Sequence, residues 1–341
     1  MAKDQTAENQ DAWINQVTET ALDPELPICD AHHHLWPGTG HTGWPYLLDD
    51  LHRDTNAGHN ISQTVFLECH AEYRQQGPVH LRSVGEVEFV SKLAEQSANG
   101  PGATIAAIVG NADVSLGDAV EEVLGLLEEA GRGRFRGIRY STAQDSHPPL
   151  QMLASAAMDD PRYLKGVRRV GLLGYSYDAM VYHPQLRDLV KVVRACPETP
   201  IIINHLGCIL GTGPYKNQRK QILLQWFAAM RELAACPNTY LKLGGIGMPM
   251  MGFRWDKQPI PPTSAELAAP WAEPVQQMID LFGADRCMFE SNYPVDKRGA
   301  GYVVLWNAFK RITHHYSARD KLNLFHNTAA RAYRIPEVVD E

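Results

Sequence analysis

Asp30, His32 and His34 stand in the run Asp30-Ala31-His32-His33-His34-Leu35-Trp36, directly after the apolar pair Ile28-Cys29. Residues two apart on a strand share a face. The D-x-H-x-H spacing therefore sets one carboxylate and two imidazoles on one side of a short buried strand. Two imidazoles on one face are half of a metal site or a pair of proton carriers. Asp30, one layer deeper, is placed to orient a histidine by accepting its second N–H. His33 has the opposite parity and is expected outside the site. An H-x-H alone also fits a histidine-rich loop, so its surroundings decide.

Those histidines need a frame that ends several strands at one place. Apolar strand-like runs recur at 27–32, 63–69, 104–110, 135–140, 171–177, 200–205, 239–244 and 287–291. Helical patterns fall between most of them, at 83–98, 117–130, 184–195, 217–235 and 264–282, with a broken stretch from 302 towards 333. Strands alternating with helices imply parallel pairing, because the crossover needs a helix. Eight such units close as an α/β fold, the (β/α)8 TIM barrel, typically of about 250 residues plus insertions. An open doubly wound sheet is the competitor, but no G-x-G-x-x-G follows the first strand. With 341 residues and 44% hydrophobic content the chain can bury one large core. A polar arm over 1–26 and a barrel over 27–341 are the expected domains.

Composition narrows the function classes. The net charge of −7 argues against a nucleic-acid surface. No run approaches the roughly 20 apolar residues of a membrane helix. Residues 1–26 lack the basic-then-apolar layout of a signal peptide. The six cysteines are scattered, several within strand-like runs, and read as reduced core thiols of a cytoplasmic protein. The expected partner is a small-molecule substrate, with a homodimer open.

Active sites of such barrels lie at the C-terminal ends of the strands. Glu68 and His70 end strand two, Arg139 ends strand four, and Tyr177 stands at the end of strand five. His205 ends strand six, Lys242 lies in strand seven, and Glu290 and Asn292 end strand eight. His32, His34 and His205 form the candidate metal set. His205, Glu290, Asn292 and Arg139 are the candidate catalytic groups. Glu68, His70, Tyr177, Trp36 and Lys242 are the candidate substrate contacts. Each has a bland alternative: His205 as a core histidine, Arg139 as a structural ion pair with Glu68, Lys242 snorkelling outward. Glu290 would then be the partner of such a cation. His41, His59, His147, His314 and His315 carry no pattern, and surface roles are expected. The long loops 36–59 and 244–262, with Trp44, Tyr46, Phe253 and Trp255, suggest walls over an apolar or aromatic substrate; the alternative is that they fasten the loops to the barrel.

The motifs DAHHHLW at 30–36, GIR at 137–139, NHLG at 204–207 and CMFESNYPVD at 287–296 resemble one family. It is the metal-dependent amidohydrolase superfamily, in its amidohydrolase-2 branch of sugar lactonases, pyrone dicarboxylate lactonase and sulfomuconolactonase. Aromatic decarboxylases are more distant members. The likeness runs from Pro27 to Ile335. It implies that His32 and His34 are the first-strand ligand pair, that His205 is the later histidine ligand, and that Arg139 contacts a substrate carboxylate or carbonyl. The family's last strand usually reads G-S-D-W-P, and Asn292 takes the place of its aspartate. An amide accepts no proton at neutral pH and is a poor metal ligand. Glu290, of the same parity and one layer deeper, either supplies the missing carboxylate or fills the core beside Arg139 or Lys242.

The resulting expectation is a hydrolase that cleaves a lactone or related ester, with an amide as a further option. The substrate is small, aromatic or carboxylated, and water is the nucleophile. A divalent metal, Zn2+ first, would polarise the carbonyl or lower the pKa of water to about 7. A metal-independent variant would have His205 or Glu290 activate the water, with His32 and His34 as polarising donors. Arg139 would hold a carboxylate or the developing oxyanion bidentately. The alternatives are a non-oxidative aromatic decarboxylase and a non-catalytic small-molecule binding protein.

Overall fold

The computed structural model describes residues 6–150 and 158–336. The outer ends of the expected arm and barrel, 1–5 and 337–341, lie outside the described residues. The strands are β1 (Ile28–His33), β2 (Ile61–Leu67), β3 (Thr104–Gly110), β4 (Phe135–Arg139), β5 (Ser176–Ala179), β6 (Ile201–Ile203), β7 (Thr239–Leu243) and β8 (Cys287–Phe289). They form one eight-stranded sheet in the order β1 to β8, each neighbour pair parallel. The sheet closes just beyond β8. His33 bridges to Tyr293, His34 N–H donates to Tyr293 O at 2.8 Å, and Asn292 N–H donates to His32 O at 2.8 Å. The protein is a (β/α)8 barrel.

Two apolar layers make it. Cys29, Ala31, Val65, Leu67, Ala107, Val109, Ile202 and Met288 fill the lumen, closed at its base by Tyr333 and Ile335. Alternate residues such as Phe66, Ile138, Ile203, Leu243 and Phe289 pack outward against the helices. These are α1 (Ala7–Ile14), α2 (Leu48–Thr55), α3 (Val84–Ala98), α4 (Val120–Gly131), α5 (Pro161–Leu172), α6 (Leu186–Ala195), α7 (Arg219–Ala234), α8 (Ser264–Ala268), α9 (Ala272–Phe282), α10 (Tyr302–Ile312), α11 (Ala318–Leu322) and α12 (Thr328–Ala332).

Several boundaries differ from the sequence expectation. The fifth strand begins at Ser176, because residues 171 and 172 still belong to α5. That helix carried a start signal in sequence: Asp160 caps it by accepting Arg162 N–H at 2.8 Å, and Pro161 opens it. The stretch 264–282 is two helices, and the stretch after 302 is three with a π-helical turn at Asn323–Asn327.

The polar arm crosses the end of the barrel that carries the strand C-termini. Trp13 Nε1 donates to Gln258 O in the loop after β7 at 3.0 Å. Gln10 Nε2 donates to Lys297 O at 2.7 Å, and Lys297 Nζ pairs with Asp11 at 2.6 Å. Glu19 accepts from Ser264 N–H at 2.8 Å. No described helix is long and apolar enough to cross a membrane. All six cysteines are free, and all but Cys236 are buried.

Candidate active site

The first strand does not keep its period of two. Cys29 and Ala31 point into the lumen with Val65 and Leu67. Asp30 points away from it, accepting from Tyr302 OH of α10 at 2.9 Å, from Ser291 N–H at 2.8 Å and from His32 N–H at 3.3 Å. Between Asp30 and His33 the pairing with β2 slips, three steps on β1 against two on β2. Such a bulge re-aims the side chains beyond it. His32 and His34 thus face the lumen, whereas Asp30 touches no histidine ring, contrary to its expected orienting role. His33 faces outward, bonded to Thr64 Oγ1 at 3.0 Å and edge-on to Phe66.

His32 is the centre of the cluster. Its ring lies 4.8 Å from that of His34 and 4.6 Å from that of His205, centroid to centroid. Glu290, fully buried, bridges two imidazoles: Oε2 is 2.8 Å from His32 Nδ1 and Oε1 is 2.6 Å from His205 Nδ1. Donor atoms of His32, His205 and Glu290 all lie within 4.8 Å of one another, a candidate metal-binding triad. Two glycines make this approach feasible. A Cβ on Gly244 would collide with the Glu290 side chain, and one on Gly245 (φ +70) would come within 2.8 Å of His205 Cβ.

The hydrogen bonds set the tautomers. A carbonyl only accepts, so His34 Nδ1, 2.8 Å from Leu67 O, carries the hydrogen. The Glu290 carboxylate assigns the hydrogen of His205 Nδ1 likewise, whereas His32 Nδ1 has both Glu290 Oε2 at 2.8 Å and the Lys242 ammonium at 3.4 Å beside it. With the hydrogen on Nδ1, a neutral ring presents its Nε2 lone pair, the arrangement in which buttressed histidines bind metal. His32 Nε2 and His34 Nε2 stand 3.1 Å apart. Two lone pairs at that distance need a donor or a cation between or beside them, and nitrogens sharing one tetrahedral zinc at about 2.1 Å would stand roughly 3.4 Å apart. Burial first, then Lys242 for His32 and Arg139 for His34, push both imidazoles well below the usual range, so they are neutral. The residues fit a divalent ion.

Arg139 stands at the rim of this cluster. Nε donates to Glu68 Oε1 at 2.7 Å and Nη2 donates to Glu68 O. Nη1 is left 3.3 Å from His32 Nε2. The Nε/Nη2 side of the guanidinium is thus forked onto Glu68, and the Nη1/Nη2 edge is the one left to face the cluster. Glu68 Oε2 has no hydrogen-bond partner, and His70 Nε2 lies 3.6 Å from it. Trp36 stacks on His34, rings 5.9 Å apart, its Nε1 held by Trp44 O at 2.8 Å. His41, given no role from sequence, packs edge-on to Trp36 at 5.8 Å. Its exposed ring is pushed below the usual range by partial desolvation first and by Arg139 second. Only the folded loop brings it there.

Four other candidates lie elsewhere. Lys242 neither snorkels outward nor reaches the mouth: it is fully buried in the lumen, 2.8 Å from Asp178, over the ring of Tyr333 and 3.4 Å from His32 Nδ1. Tyr177 faces the helices, with its hydroxyl 2.7 Å from that of Tyr163 on α5 and 2.9 Å from Tyr140 O. The inward residue at that strand end is Asp178, one position on. Phe253 and Trp255 stack on each other, and Phe253 meets Trp271 while Arg219 lies over both Phe253 and Trp271. They fasten the loop to the outer helices, which removes one reason to expect an aromatic substrate. Asn292 Nδ2 donates to Asp296 Oδ1 at 2.8 Å, and burial pushes Asp296 up to about 8.

Imidazoles from two strand ends around one buried carboxylate form a possible metal site, at the end of the (β/α)8 barrel where such enzymes carry their chemistry. The family model Amidohydro_2, described as "Amidohydrolase", matches residues 29–335, and the chain belongs to that family. It is 30% identical over 328 residues to the uncharacterized protein y4mH of Sinorhizobium fredii, covering 91% of this chain and 99% of that one. It is 26% identical over 327 residues to the L-fucono-1,5-lactonase of Burkholderia multivorans, covering 91% and 97%. A crystal structure of an amidohydrolase from Burkholderia multivorans with bound zinc superposes with a TM-score of 0.71 at 25% identity, covering 91% of this chain and 99% of that one. The chain is a hydrolase of the amidohydrolase superfamily.

Proposed function

We propose that the protein hydrolyses a lactone or closely related ester of a small organic substrate. The observation that carries this reading is the set of His32, His34 and His205 gathered beside the Glu290 carboxylate, with His34 Nδ1 on Leu67 O, His205 Nδ1 on Glu290 and Arg139 Nη1 3.3 Å from His32 Nε2. His32, His34 and His205 would hold a divalent ion through Nε2. Such an ion, when bound, polarises a carbonyl and lowers the pKa of water. Glu290 keeps the two imidazoles in the correct tautomer and ring orientation, and so acts as a positioning residue rather than as the base. Arg139 Nη1 donates to the carbonyl oxygen as negative charge develops on it during attack by water. Nε and one N–H of Nη2 are committed to Glu68, and the N–H groups that remain on Nη1 and Nη2 are those Arg139 offers towards the cluster and a substrate oxygen. Glu68 Oε2, His70, His41 and Trp36 border the mouth and would contact the rest of the substrate. The curated lactonase relative supports this choice of bond.

The test is a hydrolysis screen of the purified protein, with metal content measured beside it. The panel includes L-fucono-1,5-lactone, other sugar lactones, 2-pyrone-4,6-dicarboxylate, simple aryl esters and amides. Turnover of neutral lactones above that of dicarboxylates is the expected result. Release of carbon dioxide from hydroxybenzoates with no lactone hydrolysis would sink the reading.

A further inference from the structure

Glu68 directly follows β2, and its N–H still donates to Val109 O of β3 at 2.9 Å. The chain then leaves the sheet through His70 and Glu72, both left-handed, φ +63 and +52. Glu86 on α3 pins this turn, because its Oε1 accepts both Cys69 N–H at 2.9 Å and Ala71 N–H at 2.7 Å. The backbone is therefore held on both sides of the buried Glu68 side chain. Arg139 comes from the end of β4, where its carbonyl oxygen accepts from Asn111 Nδ2 at 3.0 Å. Each residue is thus anchored independently of the other.

The fork between them is asymmetric. Arg139 Nε donates to a carboxylate oxygen of Glu68 at 2.7 Å, whereas Nη2 donates to the backbone carbonyl of the same residue. A guanidinium is planar, and its donors keep fixed directions. Two anchored donors along one side fix both the plane and its rotation. Nη1 is thereby aimed, and it stands 3.3 Å from His32 Nε2. An ion pair as such needs only opposite charges within about 4 Å. Here the second acceptor is a neutral carbonyl, which adds direction rather than charge.

We propose that Glu68 is a positioning residue for Arg139, aiming the free guanidinium edge at the substrate oxygen that gains negative charge beside the histidine cluster. The reach of the Glu68 side chain sets that aim, and its charge alone does not. This inference rests on the hydrolase reading above and replaces the simple ion pair with a directional clamp.

Two variants separate reach from charge. Glu68→Gln keeps an acceptor oxygen at the same reach and removes the charge. Glu68→Asp keeps the charge and draws it back by one carbon, away from Arg139 Nε. On L-fucono-1,5-lactone, kcat is expected to fall about threefold in Glu68→Gln and at least about tenfold in Glu68→Asp. Melting temperature is expected to run the other way, because Glu68→Asp still sets an anion near the buried guanidinium and Glu68→Gln does not. A merely structural ion pair would make activity follow melting temperature. Solvent exchange of the Arg139 Nε–H, read by NMR on isotope-labelled protein, is independent of turnover; its signal is assigned by its loss in Arg139→Lys. That hydrogen is expected to be protected in wild type and in Glu68→Gln, and to exchange at least about tenfold faster in Glu68→Asp. Three outcomes overturn the proposal: Glu68→Gln no more active than Glu68→Asp, an Arg139 Nε–H that exchanges freely in wild type, or one as protected in Glu68→Asp as in wild type. If the wild type hydrolyses no lactone, the functional reading fails by itself, and the exchange measurement still decides whether Glu68 holds Arg139.

Discussion

Two buried cations lie at opposite ends of the His32 ring. Lys242 sits at the Nδ1 end with Asp178, and Arg139 sits at the Nε2 end with Glu68. Each pair leaves one carboxylate oxygen without a partner, Asp178 Oδ2 and Glu68 Oε2, so hydrogen-bond satisfaction alone does not separate them. Access does. The side chains of Lys242 and Asp178 are both 0% exposed, and Asp178 Oδ1 also takes hydrogen bonds from Asn204 at 2.8 Å and Tyr333 at 2.8 Å. Arg139 keeps 10% of its side chain exposed and Glu68 4%, at the mouth. A cation in a barrel lumen is thus floor or site according to which end of the histidine it reaches.

That contrast is broken most sharply by removing Lys242. Lys242→Ala leaves Asp178 charged and sealed in the lumen. Breaking a buried pair in this way costs about 3–5 kcal/mol, so a large loss of stability in equilibrium denaturation is expected. A variant as stable as wild type would make the floor pair dispensable. Glu290→Gln acts on the ring between the two cations. It removes the charge that orients His32 and His205, and metal affinity or activity is expected to fall about 10- to 100-fold with folding retained. Chelator competition and steady-state kinetics check this. Arg139→Ala should lower kcat/KM by about tenfold, or about 1.4 kcal/mol of transition-state stabilisation. Unchanged kinetics would return Arg139 to the structural class of Lys242.

The smallest effect sharpens how the rim pair is braced. Glu86 on α3 is buried and accepts from Cys69 N–H at 2.9 Å and Ala71 N–H at 2.7 Å, on either side of His70 and just past Glu68. Burial first, and Glu68 second, push its carboxyl up from 4.5 to about 8. Below pH 4.5 the folded and unfolded chains both hold that proton. Between 4.5 and 8 the unfolded chain loses it while the folded chain keeps it, so this contribution to stability falls as pH rises through the window. Glu86→Gln should be close to wild type in stability near pH 5 and should flatten the decline towards pH 8, as followed by melting temperature across that range.

The barrel was legible because its strands are apolar on both faces and its helices lie between them. The helix α5 escaped the sequence reading although Asp160 and Pro161 announced it. Its end at Gly171-Leu172 was merged instead with the strand that begins at Ser176. Two side-chain directions differed from the sequence reading, for distinct reasons. At Tyr177 the outward and inward residues of a short strand were exchanged, since an isolated Tyr-Asp pair carries no period. At Asp30 the period itself was reset by the bulge before His33.

By itself the sequence determined the fold class, the strand ends at which ionisable groups collect, and the presence of His32, His34 and His205 there. Those follow from local pattern, because burial and crossover geometry act on neighbouring residues. Only the tertiary structure decided the partners: Glu290 with His32 and with His205, 85 residues away; Lys242 with Asp178; Arg139 with Glu68; Asp11 of the arm with Lys297. The physical reason is that a carboxylate or imidazole takes its tautomer, charge and direction from whatever the closed barrel sets within about 3 Å of it, and that choice is made between strands far apart in the chain.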